Sequence, residues 1–215
     1  QNPPKYKAYQ QWMLAQNVLD ADPEQAELHL QNAFALDTSF YAPIFGLYKL
    51  YTRLGKDSLS SDLLQFVERR KNRFTKWEKL SVEELKAIEE KDWSLAAQLA
   101  EKKYDMDRSD VSANNASVSF YNSIHQPQKA LELLTDFDPR FLNEDEMILG
   151  WRTALEAYSL FVLGRYEEVT QLIKKYPHPK IADALAVIHL KSIVHLNNTI
   201  ELDDQFRYYK ERGVY

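Results

Sequence analysis

YTRLGKDSLSSDLLQFV, residues 51–67, reads as the end of one helix, a tight turn and the start of a second. Ser60, Leu64 and Val67 stand at offsets of four and seven, which places them on one helical face. Tyr51 comes nine residues before Ser60, on the helix before the turn. Between them LGKDS (54–58) offers Gly55, a residue suited to the left-handed conformation that ends a helix. A small residue at the start of the second helix has a physical purpose. It lets two helices approach closely, and the large residue nine earlier packs beside it. Such a pair leaves an apolar face open, which a further pair must cover.

The same pattern recurs along the chain. Ala26, Ser60, Ala96, Ala130 and Val169 are small or short residues separated by 34, 36, 34 and 39 positions, and Leu202 follows after 33. Four residues beyond each stand Leu30, Leu64, Ala100, Leu134, Ile173 and Phe206. Seven beyond stand Ala33, Val67, Lys103, Phe137, Tyr176 and Tyr209, and nine before stand Asn17, Tyr51, Ala87, Tyr121, Leu160 and Ile193. LGRYEE (163–168) repeats the glycine turn, while Trp93, Pro127 and Tyr166 share one place three before the small residue. Periods of this length are the mark of stacked helical pairs.

Composition agrees with a helical reading. The chain has 215 residues with 5 Gly and 8 Pro, is 45% hydrophobic and 27% charged, and carries a net charge of −5. A negative balance argues against duplex nucleic-acid binding, which shows as a basic surplus. Cysteine is absent, which excludes disulfides and thiolate zinc sites and leaves the redox compartment open. No apolar run approaches the roughly 20 residues that span a bilayer, and no signal peptide is apparent. A chain that starts at Gln1 is expected to be a piece of something longer.

The repeated columns, carried by EQAELHLQNAFALD (24–37), YKLYTRLG (48–55), DWSLAAQLAEKKYDMD (92–107), QKALELLTDFDP (128–139) and VLGRYEEVTQLIKKYP (162–177), resemble the tetratricopeptide repeat family. The resemblance covers about residues 5–213 and implies an all-α, right-handed superhelical solenoid of about six antiparallel helix pairs. It divides a single domain, 1–215, into repeats near 5–38, 40–74, 76–109, 111–141, 148–178 and 180–213. More narrowly, PPKYKAYQQWMLA (3–15), ALDTSFYAPIFGLYKLYTRLG (35–55) and RRKNRFTKWEKL (69–80) look like repeat regions of bacterial multidomain signalling proteins, including transcriptional activators and protein kinases. That setting implies one part of a longer regulatory protein, with an extracytoplasmic, periplasmic location preferred to a cytoplasmic one. Departures are expected to matter. Lys103 replaces the usual Ala, Asn17 an aromatic, and the acidic connector NEDEM (143–147) lengthens one step, so a longer loop or a tilt is expected there. The last helix, ELDDQFRYYKER (201–212), is expected to pack Leu202, Phe206 and Tyr209 and to cap the array with a charged outer side.

Tests for chemistry return little. His29, His125, His178, His189 and His195 form no HExxH pair and read as surface or boundary histidines. DMDRSD (105–110) has a faint EF-hand look but lacks the Gly at position 6 and the Glu at position 12, so its Asp and Ser read as helix caps. RRKNR (69–73), with Lys76 and Lys79, reads as a solvated helix end complementing the macrodipole; an acidic partner or an anionic lipid is the other reading. Trp12, Trp77, Trp93 and Trp151 read as packing residues rather than ligand cages. Phosphate loops and nucleophile elbows are missing. The expectation is a non-enzymatic module with no cofactor and no metal.

One helix stands apart. In SANNASVSFYNSI (112–124), Ala113, Ala116, Ser117, Phe120, Tyr121 and Ile124 share a broad face. Ser112, Asn115, Ser119 and Asn122 fall within an arc of about 80° on another. In the tetratricopeptide family these first-helix positions point into the concave groove. The matching positions are Ala42, Phe45, Lys49 and Thr52 in the second repeat and Trp151, Ala154, Tyr158 and Phe161 in the fifth. The groove expected from this register combines Phe45, Lys49, Ser112, Asn115, Ser119, Asn122, Trp151 and Tyr158. Its expected occupant is a protein or peptide segment in extended form, held by amide donors and acceptors, aromatic contact area and a lysine. A small-molecule or glycan sensor using the aromatic end, a structural oligomerisation segment, and a solvated polar face that binds nothing are the alternatives. Direct nucleic-acid binding is not expected of this segment, and membrane contact only through flanking segments.

Overall fold

The computed structural model describes residues 3–19, 21–142, 146–176 and 182–211. Among them are twelve α-helices, two short 3-10 turns and no strand. The chain divides into two compact units, Gln1–Lys86 and Ala87–Tyr215. None of these helices is long and apolar enough to cross a membrane.

The first unit holds α1 (Tyr6–Val18), α2 (Pro23–Leu36), α3 (Ala42–Arg53), α4 (Asp57–Glu68) and most of α5 (Lys76–Glu89). Consecutive helices from α1 to α4 pack on one another. Local chemistry starts each one. Asp22 accepts from the Gln25 N–H at 3.0 Å to cap α2, ahead of Pro23 at its first position. Thr75 and Glu78 form a reciprocal capping box at α5, with Thr75 N donating to Glu78 Oε2 at 2.8 Å and Glu78 N to Thr75 Oγ1 at 3.2 Å. The core holds Leu30, Leu50, Leu64, Val67 and Val82. Each such side chain contributes about 1.5–3 kcal/mol through burial. Tyr48 ties α3 to α5 by donating its hydroxyl to the Leu85 carbonyl at 3.2 Å.

The second unit holds the remainder of α5, then α6 (Trp93–Met106), α7 (Val111–Ser123), α8 (Pro127–Asp136), α9 (Glu146–Val162), α10 (Tyr166–Lys175), α11 (Ala182–His195) and α12 (Thr199–Glu211). From α6 to α12 each helix packs on the next, and α9 also touches α7 and α11. The architecture is therefore all-helical and repeat-like. Two hydrophobic clusters fill this unit. One gathers Tyr104, Val118, Tyr121, Ala130, Leu133 and Phe137. The other gathers Ala157, Leu160, Val169, Ile173 and Leu185.

The columns read from the sequence coincide with burial at most positions, Asn17 being exposed. Ala26, Ser60, Ala96, Ala130 and Val169 are all buried, as are Tyr51, Ala87, Tyr121, Leu160 and Ile193 nine residues before their partners. The turns carry a regularity that glycine alone did not reveal. Gly55, Lys91, His125, Gly164 and Asn197 all have positive φ, between 53° and 73°. Each lies five residues before a residue of the small column. The residue after each donates back to the helix end: Lys56 to Tyr51, Asp92 to Ala87, Gln126 to Tyr121, Arg165 to Leu160 and Asn198 to Ile193. One C-terminal device thus closes five helices, two with glycine and three without.

Some expectations need correction. Of the three residues expected to pack from the last helix, only Tyr209 is buried, whereas Leu202 is half-buried and Phe206 is exposed. Tyr176 is also exposed despite its column. Lys103 is buried where a smaller residue was the norm. His189 is no boundary residue: it is enclosed, with Nδ1 3.0 Å from the Tyr209 hydroxyl. Trp151 is exposed rather than packed, and Trp93 is exposed although its ring stacks on Phe120 with centroids 6.2 Å apart. In DMDRSD the capping reading holds, because Asp110 accepts from Ala113 N at 3.0 Å and Asp107 from Ser109 N at 2.9 Å. In RRKNR, Arg70 donates to the Phe66 carbonyl at 3.2 Å and lies over the Phe66 ring, as a cation at a helix end should. Of the acidic connector 143–147, where a longer loop is expected, the last two residues belong to α9, which leaves 143–145. These, together with Pro177, His178 and Arg212, lie outside the described residues.

Candidate functional site

The polar helix, α7, contacts α8 and α9 in the second unit. Its short side chains leave an open hollow of about 410 Å³ against α9. Ser112, Asn115, Ser119 and Phe120 line it from α7, and Ile148 and Trp151 from α9. Four of the residues expected in the groove therefore meet: Ser112, Asn115, Ser119 and Trp151. Trp151 is 52% exposed, an unusual degree for an indole, and leaves its face available for contact.

Asn122 does not join them. It is 5% exposed and engaged inside the unit, with Nδ2 donating to the Leu155 carbonyl at 3.3 Å and Oδ1 accepting from Ser159 Oγ at 2.9 Å. The helical wheel explains the correction. Asn122 lies at the edge of the polar arc, about 40° from the fully enclosed Val118. A small tilt toward α9 is enough to bury it. Tyr158, 39% exposed, stands two turns along α9 from Trp151 and lies outside the hollow.

Phe45 and Lys49 belong to the first unit. Phe45 is 8% exposed and packs edge-on against Phe74, with ring centroids 6.3 Å apart, so it is a core residue that reaches a basin on that unit. Lys49 is exposed on α3.

Beneath the hollow lies a polar seam that sequence reading missed. Arg152 is buried on α9. Its Nη1 donates to Asn114 Oδ1 at 2.6 Å and Asn115 Oδ1 at 2.7 Å, and its Nη2 to the Leu134 carbonyl at 3.4 Å. The guanidinium also covers the Phe137 ring at 4.6 Å. Burial lowers its pKa from the usual arginine value, with Tyr104 and Glu156 pulling the other way. Asn114 completes the seam by donating Nδ2 to the Leu133 carbonyl at 3.0 Å. One turn along, Glu156 is half-buried, and burial raises its carboxyl pKa against the opposing charges of Arg152, Lys175 and Arg165.

The seam orients the hollow. Because Asn115 Oδ1 accepts from Arg152, the amide Nδ2 carries two N–H donors that make no hydrogen bond to a described residue. An apolar wall with one fixed amide and two hydroxyls can hold a neutral hydrogen-bonding chain. Asn114 was legible as a member of the buried stripe, since it shares a face with Ser117, Val118 and Tyr121. Arg152 offered only the oddity of a charge beside Trp151 in a mostly apolar helix.

No protein-family model matches the chain, and no curated protein matches it.

Proposed function

We propose that this chain is a non-enzymatic interaction module whose second unit receives a partner segment in extended form along the α7–α9 hollow. The observation that carries this reading is the meeting of Ser112, Asn115 and Ser119 with the exposed indole of Trp151 in one open hollow. A peptide carbonyl accepts from the uncommitted Asn115 amide, and an apolar side chain lies against Trp151 and Phe120. Among the described residues the lining carries no charged side chain, so a neutral ligand segment suits it. The finer architecture belongs to the same proposal: a right-handed solenoid of about six antiparallel pairs, as in tetratricopeptide repeats. The regular turn device and the buried small column support it. Resemblance to bacterial repeat regions supports a role as a sensor or scaffold within a larger regulatory protein.

The test is selection of binders from a random dodecapeptide library on the whole chain, followed by titration of the winners. Trp151→Ala and Asn115→Ala are expected to weaken them, while the distant Lys210→Ala is not. Winners that bind all three variants equally would reject the hollow as the site.

A further inference from the structure

We propose that the first unit carries a second binding site, a basin that takes a small monocarboxylic acid with an aromatic or apolar body. The basin is an open hollow of about 590 Å³, within the range of small-molecule sites. Phe40, Tyr41, Phe45 and Trp77 form its aromatic walls, with Thr38 and Arg73 among its polar members.

Two polar groups there make no hydrogen bond to a described residue. Tyr41 is 6% exposed, with its ring wedged against Phe74 at a centroid distance of 4.3 Å and against Phe34 at 6.2 Å. Its hydroxyl nevertheless makes no hydrogen bond to a described residue. The ring is buried but the hydroxyl oxygen is not enclosed, which leaves it open to the basin. Arg73 stands in the 3-10 turn Lys71–Arg73, whose backbone is fixed by Arg73 N donating to the Arg70 carbonyl at 2.9 Å. Its guanidinium likewise makes no hydrogen bond or ion pair with a described residue.

The electrostatics select the ligand. Of the cations in residues 69–79, Arg73 is the one among the residues lining the basin, and Glu78 is the one acid there. Glu78 lines the basin too, but its Oε2 already accepts from the Thr75 N–H and hydroxyl, each at 2.8 Å. Asp37 nearby in sequence is likewise engaged by Ser39 Oγ at 2.6 Å and Lys5 N at 2.9 Å. The groups left open to the basin are thus the Tyr41 hydroxyl, a donor, and the exposed Arg73 guanidinium, a cation. A carboxylate answers both: it pairs with the Arg73 fork and accepts from the Tyr41 hydroxyl, while its body covers Phe40, Phe45 and Trp77. This site is independent of the α7–α9 hollow, since its lining comes from the first unit alone.

The experiment is titration of the 15N-labelled chain with 3-phenylpropionate, with 3-phenylpropionamide as the uncharged control. Saturable shifts confined to residues around Tyr41, Phe45, Arg73 and Trp77 are expected for the acid. The amide should bind at least about tenfold more weakly, the worth of a charge-assisted hydrogen bond. Arg73→Gln should cost about tenfold for the acid and little for the amide, and Tyr41→Phe a smaller factor. Lys76→Gln, a neighbouring cation outside the basin, should change little. Equal binding of acid and amide, equal loss in Lys76→Gln, or absence of saturation would overturn the proposal. Tighter binding by a pentapeptide ending in phenylalanine would overturn its small-molecule assignment.

Discussion

Arg152 Nη1 donates to Asn114 Oδ1 at 2.6 Å, joining the middle of α9 to the first turn of α7 through a buried guanidinium and a fully enclosed amide. Among the described residues no carboxylate is hydrogen-bonded to this arginine; two asparagine oxygens and a backbone carbonyl hold it. Asn114→Ala removes one acceptor from Arg152 and the donor that satisfies Leu133. Leaving buried polar groups unmet costs about 1–3 kcal/mol each, so a loss of about 2–4 kcal/mol is expected in urea denaturation. Asn115→Ala should cost less, because Asn115 is half-exposed and Asn114 remains.

Asn122→Ala separates folding from binding. Its side chain links α7 to Leu155 and Ser159, so the substitution should lower stability by about 1–3 kcal/mol. Ser119→Leu, lining the open hollow, should be nearly neutral for stability. Equal unfolding midpoints for the two variants would show that this account of the α7–α9 contact is wrong.

Ala130 is fully enclosed where α8 joins the first hydrophobic cluster. Ala130→Leu must force its neighbours apart, at a cost of about 1–3 kcal/mol. A thermal scan beside Ser119→Leu checks it: the core variant should melt lower.

The turns offer a gain instead of a loss. Lys91 and His125 hold φ of 59° and 57°, a conformation that favours glycine. Lys91→Gly is expected to stabilise by up to about 1 kcal/mol, whereas Gly164→Ala, with φ of 73°, should destabilise by about that much. Nothing lies within 4 Å of a Cβ built at Gly164, so the cost there is one of backbone alone. Chemical denaturation of both variants measures the pair.

His189 makes stability depend on pH. Burial depresses its pKa to about 4 from the ordinary 6.5, with Glu201 opposing and Lys174 adding to the effect. The unfolded chain therefore binds the proton first as pH falls. Stability is complete above about pH 7.5, declines through 6.5 and levels off near 4. About 1.4 kcal/mol should be lost from this histidine between pH 7.5 and 5.5, while Glu156, whose carboxyl is raised by burial, works in the opposite direction. The loss of urea midpoint between the two pH values should be larger in the parent chain than in His189→Asn, and an equal loss in both would reject the role of His189.

Helix, turn and small-residue column were all legible in the chain because each is a local property. An offset of four or seven places residues on one face whatever lies beyond it, and Gly55 and Gly164 announce their turns by their own backbone freedom. Lys91, His125 and Asn197 use the same turn without announcing it, since the neighbouring bond back to the helix end, rather than the residue type, holds them there.

The hollow was legible in part. Ser112, Asn115 and Ser119 followed from the wheel, and Trp151 from the register of the resembled family. What the wheel cannot supply is the identity and tilt of the helix that packs on each face. That decision belongs to tertiary structure: it buries Asn122 against Leu155, sets Arg152 on Asn114, and encloses His189 beside Tyr209. By itself the sequence determined that the chain is helical, where its helices break and which face of each is apolar, because these depend on residues within a few positions of one another. Which polar side chains are consumed in holding helices together, and which stay free to meet a ligand, depends on atoms brought from about 20 to 40 positions away. Only the packed chain settles that distribution.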